Sequence, residues 1–343
     1  MNRYETRRLD HLGIVAAICR EIGLMVGQSP TMIEQVDQQV GVSERKVSCG
    51  QATQAMVLNG LGFTSRALYL VPDYMKNRPV DVLIGEGLNA EDFNDDTPGR
   101  SLDDLYEAGV TEVFASVVSR ALQMYGIRHR FVHLDSSSLH VHGEYAGYEE
   151  EGGYVDRKMI TMVAPSATTI TEGFSKDHRP DLKQAVVTLI TSQASTIPVW
   201  LEALSGNSND RVSFPKTVQA YCQHLGKDEQ PYYIMVARLQ ATILDSSGYS
   251  EENLKAMKSI RWLTRVPETL KQAKELVSQT QPVDMTLLEE GYWGREISSE
   301  YGGIRQRWLV VYSEAARQRE ERGLERKQVK ELETAGVQWL PTA

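Results

Sequence analysis

Apolar residues recur at three- and four-residue spacing through the first third of the chain, and at two-residue spacing beyond residue 127. The first pattern predicts helices. Residues 11–24 carry Leu12, Val15, Ile18 and Ile22 on one face, with Asp10 placed to cap the first turn. Residues 51–61 carry Ala52, Ala55, Met56, Leu58 and Leu61, enter through Ser48 and stop at Gly60 and Gly62. A third block, 101–126, opens with Ser101 as a cap and acids in its first turn. It directs Leu105, Val113, Phe114, Val117, Val118, Ala121 and Leu122 inward, with Gly109 as the point where it divides in two. Residues 1–126 therefore read as a helical domain. Arg45, Lys46, Arg66, Lys76 and Arg78 are its candidate phosphate contacts, although helices that only cap the next domain fit the pattern equally well.

The second pattern predicts strands. In FVHLDSSSLHVHG, residues 131–143, alternation places Phe131, His133, Asp135 and Ser137 on one face and Val132, Leu134 and Ser136 on the other. After a Gly/Glu-rich connection at 144–153, AVVTLITSQASTIPVWLEALSGN reads as two strands joined by a Ser/Ala/Thr turn. A helix over 213–225 turns Val218, Tyr221, Cys222 and Leu225 inward. YYIMVARLQATILDSSGYS is strand material ending at Asp245, residues 251–259 form a short helix, and IRWLTRVP is a further strand. Three strands, a helix, a strand, a helix and a strand give an α/β order with a mixed sheet, in which Asp135 and Asp245 lie on neighbouring strands. Residues 313–334 read as a charged helix with few core contacts.

Composition narrows the class. The 343 residues suffice for two domains, and 41% hydrophobic with 24% charged residues is ordinary for a globular protein. No stretch approaches the roughly 18 apolar residues of a membrane helix, and MNRYETRRLD lacks the apolar run of a secretory signal, which predicts a cytoplasmic chain without a membrane partner. Cys19, Cys49 and Cys222 are odd in number and far apart, and predict core thiols. A net charge of −9 opposes DNA binding over the whole surface, so any nucleic-acid contact must come from local patches. Residues 315–330, with six basic and three acidic side chains, are the strongest such patch, and a solvated charged face is the alternative.

Read in order, LDHLGIVAAICREIGL, NAEDFNDDTPGRSLDDLYEAG, FVHLDSSSLH, GFSKDHRPDLKQ, SGNSND, DSSGYSEENL, IRWLTRVPETL and YGGIRQRWLVV resemble bacterial insertion-sequence transposases of the DDE type. The resemblance runs over essentially the whole chain. It implies a helical region at 1–126, a ribonuclease-H-like mixed sheet flanked by helices at 127–312, and a charged helix and tail at 313–343. It further implies cleavage and strand transfer of DNA at element ends with Mg²⁺ or Mn²⁺, and self-association. Asp135 corresponds to the first catalytic, metal-binding acid and Asp245 to the second. His178, Arg179 and Lys183, in or just after the polar knot with Asp177 and Asp181, become DNA-contact candidates.

The sequence departs from the family twice. The segment before Asp245 is longer than usual and contains Arg238 and Gln240. The Tyr…Arg…Glu…Lys signature that carries the third acid is missing, since Tyr312, Arg317, Glu320, Glu321 and Lys327 have its residue types at other spacings. Glu320 and Glu321 are the substitutes to test, and a C-terminally truncated, degenerate copy is expected. A non-catalytic DNA-binding remnant is accordingly the alternative function, with a small-substrate phosphoesterase as a minor one. His140 and His142 have strand spacing suited to a transition metal, but solvated histidines explain them as well. Ser136 and Ser137 lack the elbow and base of a serine hydrolase.

Overall fold

The computed structural model describes residues 6–24, 32–40, 45–61, 67–128, 130–143, 168–174, 179–193, 195–225, 231–235 and 249–334. The chain forms two compact units, Met1–Val236 with Ile260–Leu263, and Ala237–Ser259 with Thr264–Ala343.

The first unit begins with helices α1 (Asp10–Glu21), α2 (Met32–Val40), α3 (Cys49–Gly60), α4 (Val71–Met75), α5 (Val80–Leu83), α6 (Asp96–Ala108) and α7 (Val110–Met124). Leu12, Ala52, Ala55, Leu58, Met75, Leu83 and Phe93 make one buried cluster among them, and Cys19, Leu24, Ile33 and Val113 another. α3 starts as expected: Ser48 Oγ accepts the Gln51 N–H at 3.2 Å while Gln51 Oε1 accepts the Ser48 N–H at 3.0 Å. The Asp37 carboxylate accepts two further N–H groups of that first turn, from Cys49 and Gly50. Gly50 admits no side chain, because a Cβ would lie 2.2 Å from the Leu24 carbonyl oxygen. Gly109, at φ +90°, separates α6 from α7 as the pattern predicts.

Three local expectations fail. Asp10 is the first residue of α1 rather than its cap, and its carboxylate faces Arg8 at 2.7 Å and Arg78 at 3.6 Å. α1 buries Leu12, Ala16 and Cys19 and leaves Ile14 and Ile18 exposed, since small side chains let the helix approach α3 closely where larger ones could not. Ser101 lies inside α6, where its hydroxyl donates to the Thr97 carbonyl.

Next come β1 (Phe131–Val141), β2 (Lys183–Ser192), β3 (Pro198–Ser205), α8 (Asp210–His224), β4 (Tyr232–Met235) and β5 (Trp262–Thr264). The sheet order is β3-β2-β1-β4-β5. β1 to β3 are antiparallel neighbours and β4 runs parallel to β1. Helices followed by this mixed sheet make the chain α/β, with the strand order of a ribonuclease-H-like fold. On one face Leu134 meets Ile190 across the strands, Val132 and Val186 extend the same buried face, Tyr233 stands across from Val132 on β4, and α8 covers the face with Phe214, Val218 and Tyr221. The Tyr221 ring lies 5.5 Å from Trp200 and 6.1 Å from Tyr233, centroid to centroid.

The second unit contains α9 (Glu251–Ala256), α10 (Lys271–Gln279), β6 (Thr286–Glu289), β7 (Tyr292–Tyr301), β8 (Ile304–Ser313) and α11 (Glu314–Thr334). Its sheet runs β6-β7-β8, all antiparallel. α11 occupies the span read as a charged helix. Over its full length six basic residues balance six acidic ones, which removes the local excess of positive charge counted over 315–330. No described helix is long and apolar enough to cross a membrane.

Candidate active site

Asp135 sits on the central strand of the five-stranded sheet, on the face opposite α8. Leu189 stands directly across from it on β2, with the His133/Thr191 and Ser137/Val187 pairs on either side. Val132, Leu134 and Ser136 point under α8 and are buried, whereas Asp135 is half-buried and Ser137 exposed. Strand alternation alone thus delivers one carboxylate to the more open face. The parallel register of β1 with β4 ends at Leu134 opposite Met235, so Asp135 is the first β1 residue past the described end of β4. Ligand sites of open α/β sheets gather at such carboxyl ends.

The next residue fixes this one. The Ser136 N–H donates to Asp135 Oδ1 at 2.9 Å, and Ser136 Oγ donates to Asp210 Oδ1, in the first turn of α8, at 2.8 Å. A side chain under the sheet therefore anchors the backbone that orients a side chain above it. Thr188 stands across from Ser136 and Glu202 across from Thr188, so a polar row crosses three strands beneath α8. Glu202 accepts from Trp200 Nε1 at 2.9 Å and from Thr217 Oγ1 at 2.5 Å.

The remaining expected site residues are scattered or fall elsewhere. Asp245, Asp177, His178 and Arg66 lie outside the described residues. Arg179 donates through Nε and Nη2 to Asp181 at 2.8 and 2.7 Å, and this fork holds the Asp181 carboxyl down to about 2, with His142 adding to the effect. Lys183 shares the Asp135 face but stands across from Val141, six positions further along β1, which is ~20 Å at the usual rise. Among the helical-domain cations, Arg45 is paired with Asp104, Lys46 with Asp92 and Arg78 with Asp10. Three of the five candidate phosphate contacts are thus paired with acids of the same chain.

One feature of this face is unforeseen. Phe131 and Tyr232 lie 5.4 Å apart, Arg130 stacks over the first ring at 5.3 Å, and Arg261 over the second at 5.4 Å. The only sequence signal is an aromatic residue starting each of two strands, and their parallel register could not be read from the residues.

As a metal centre the described part is incomplete. Asp135 offers hard oxygen, which suits Mg²⁺ or Mn²⁺. Among the described residues no group of three His, Cys, Asp or Glu side chains is placed to hold an ion. The described donors therefore do not make up the ligand set of a two-ion clamp.

A family model described as a domain of unknown function, DUF4277, matches residues 4–119. No curated protein matches the chain in sequence. Among solved structures the chain is similar to a Mos1 transposase paired-end complex with left transposon end, at 10% identity and TM-score 0.22, over 75% of this chain and 77% of that one. It is also similar to a pre-cleavage Mos1 transpososome, at 11% identity and TM-score 0.22 over 82% of each chain. A Mos1 mariner paired-end complex with Mn matches at 12% identity and TM-score 0.23, over 77% of this chain and 80% of that one. At such scores the fold assignment rests on strand order and direction, not on these superpositions.

Proposed function

We propose that the chain is an insertion-sequence transposase of the DDE type, in which Asp135 is the first metal-binding acid and Asp245 the second, acting on the DNA ends of its element. The observation that carries this reading is the place of Asp135: the one acid of FVHLDSSSLH stands at mid-strand on the central β1, on the open face, just past the described end of β4. The chain-long motif resemblance supports it. On this reading 1–126 is the helical region, 127–312 the ribonuclease-H-like region and 313–343 the charged tail.

Divalent ions held by Asp135 and Asp245 would neutralise the attacking and leaving oxygens of a phosphodiester. The chain's part is to hold the carboxylate still. The Ser136 N–H fixes one oxygen of Asp135, and the Ser136–Asp210 bond fixes the peptide that carries the N–H. DNA is the partner class, and its contacts must be local ones on a chain of net charge −9.

The second reading is a DNA-binding remnant without catalysis. It is favoured by the shortage of metal ligands around Asp135 among the described residues. One experiment separates the two. Purified protein is incubated with labelled duplexes from either side of its own gene, in Mg²⁺ or Mn²⁺, beside Asp135→Asn. The transposase reading expects nicking that falls at least about a hundredfold in the variant, the usual scale for losing a group that stabilises transition-state charge. Cutting at equal rates by both proteins overturns it. Binding without cutting, together with weaker Mn²⁺ uptake by Asp135→Asn in calorimetry, selects the remnant.

A further inference from the structure

We infer that β8 is a docking edge for a second copy of this chain, with two β8 strands pairing antiparallel across a two-fold axis so that two three-stranded sheets become one continuous sheet. The inference is independent of the transposase reading.

β7 pairs with β8 along its whole length, from Ser313 opposite Tyr292 to Ile304 opposite Tyr301. Among the described residues no strand pairs with the other edge of β8. A strand paired on one side turns half of its backbone N–H and C=O groups outward, and another strand is the partner that meets them all at once. Edge strands normally carry a guard, such as proline, charged side chains and above all lysine, a bulge or a very short length, and β8 has only two arginines of this kind. β8, IRQRWLVVYS, is ten residues long, contains neither proline nor lysine, and pairs with β7 without a register shift. The opposite edge of the sheet is guarded. β6 has four residues, all exposed, a register shift between Leu287 and Glu289, and two glutamates at its end.

Towards Ser313 the exposed face beside the open edge is apolar. Leu288, Leu309, Val311 and Tyr292 are 53%, 55%, 50% and 45% exposed. They surround Gly294, where a Cβ would lie 2.5 Å from Leu288 Cδ1 and 3.2 Å from Leu309 Cδ1, so both leucines already fold over the sheet. Of the two arginines of β8 on this face, Arg307 looks back into its own sheet. Arg307 binds Glu296 with two bonds of 2.7 and 2.6 Å, and Arg305 stands across from Glu300.

A second copy fits because β8 is complementary to itself. With the two-fold axis at Leu309, Leu309 meets its symmetry mate, Arg307 meets Val311, Arg305 meets Ser313, and Trp308 meets Val310. No two like charges oppose each other, and the leucines and valines of both copies form one stripe. A register centred near Gln306 would set Arg305 against Arg307, which disfavours it.

Sedimentation equilibrium on the full chain, over a range of concentrations, tests the proposal. Three samples accompany the wild type: Leu309→Lys, Leu309→Glu and an equimolar mixture of the two. The wild type should form dimers, each variant alone should dimerise at least about tenfold more weakly because like charges face each other at the axis, and the mixture should regain dimers. A monomeric wild type overturns the proposal, and means that the edge is covered by the chain's own residues or by a different partner. So do variants that dimerise as tightly as the wild type, or a mixture no tighter than its components.

Discussion

The two sheets are built from strands of similar length and differ in what holds their faces. In the five-stranded sheet every second residue of β2, from Gln184 to Ser192, is buried. In the three-stranded sheet only Gly294, Ser299, Gln306 and Trp308 are buried, while Leu309 and Val311 face water. The first sheet is close-packed and a misplaced atom in it has nowhere to go. The second has one open face, where a flexible side chain can yield. The same substitution should therefore have opposite consequences in the two.

Glycine to alanine is the sharpest form of that contrast. A Cβ at Gly206 would lie 2.0 Å from the Gln184 carbonyl oxygen and 2.4 Å from that of Thr171, and both are backbone atoms fixed by the Thr171–Gln184 bridge. Gly206→Ala should cost about 3 kcal/mol or more in urea unfolding, at the upper end of overpacking effects. At Gly294 the nearest atom is the tip of Leu288, and alanine is the better strand residue, so Gly294→Ala should change stability by less than about 1 kcal/mol in either direction. Equal losses would show that the second sheet is as tightly packed as the first.

The same difference explains what the sequence disclosed. β2 and the first half of β1 are legible because tight burial on one face imposes a strict hydrophobic alternation, β3 and α8 are legible only as an apolar run and a helical spacing, and Gly109 marks its helix break by a conformation that favours glycine. The pattern names no strand at 286–313. There the inner face is filled partly by polar groups that satisfy one another: Tyr249 Oη and Trp308 Nε1 both donate to Gln306 Oε1. A buried glutamine leaves no apolar mark. At the candidate site, the position of Asp135 on β1 follows from alternation, but its anchoring by Asp210 does not, since that contact joins residues 74 positions apart. Nor could the sequence tell that Arg179 is engaged by Asp181 two residues later.

Polar burial offers a second, smaller contrast. Gln306→Leu strips two buried donors of their acceptor and should cost about 2 kcal/mol, because each orphaned group retains its desolvation penalty. Ser136→Ala removes one donor from Asp210, which is only half-buried and keeps access to water, and should cost about 1 kcal/mol. Thermal unfolding of both variants ranks them. If Ser136→Ala is the more damaging, the polar row beneath α8 is a stronger stabilising element than its partial exposure implies.

The smallest effect comes from two exposed carboxylates, each gripped by an arginine fork, one in each unit. Arg179 holds Asp181 down to about 2, and Arg307 holds Glu296 below the ordinary glutamate range. In both the folded-state value is depressed, so the favourable contribution is complete above the unfolded-state value, near 3.9 for aspartate, and is lost as pH falls through the folded one. For Asp181 that window runs from about 4 down to about 2. Carboxyl titration by NMR should find the Asp181 midpoint near the bottom of this window, and Arg179→Gln should return it to near 3.9. Arg307→Gln should raise the Glu296 midpoint in the same way. At neutral pH neither change should move the unfolding midpoint measurably, because solvent screens both pairs. A clear loss of stability in Arg307→Gln alone would mean that its face of the second sheet is covered in solution, which the β8 pairing would bring about and an isolated sheet would not.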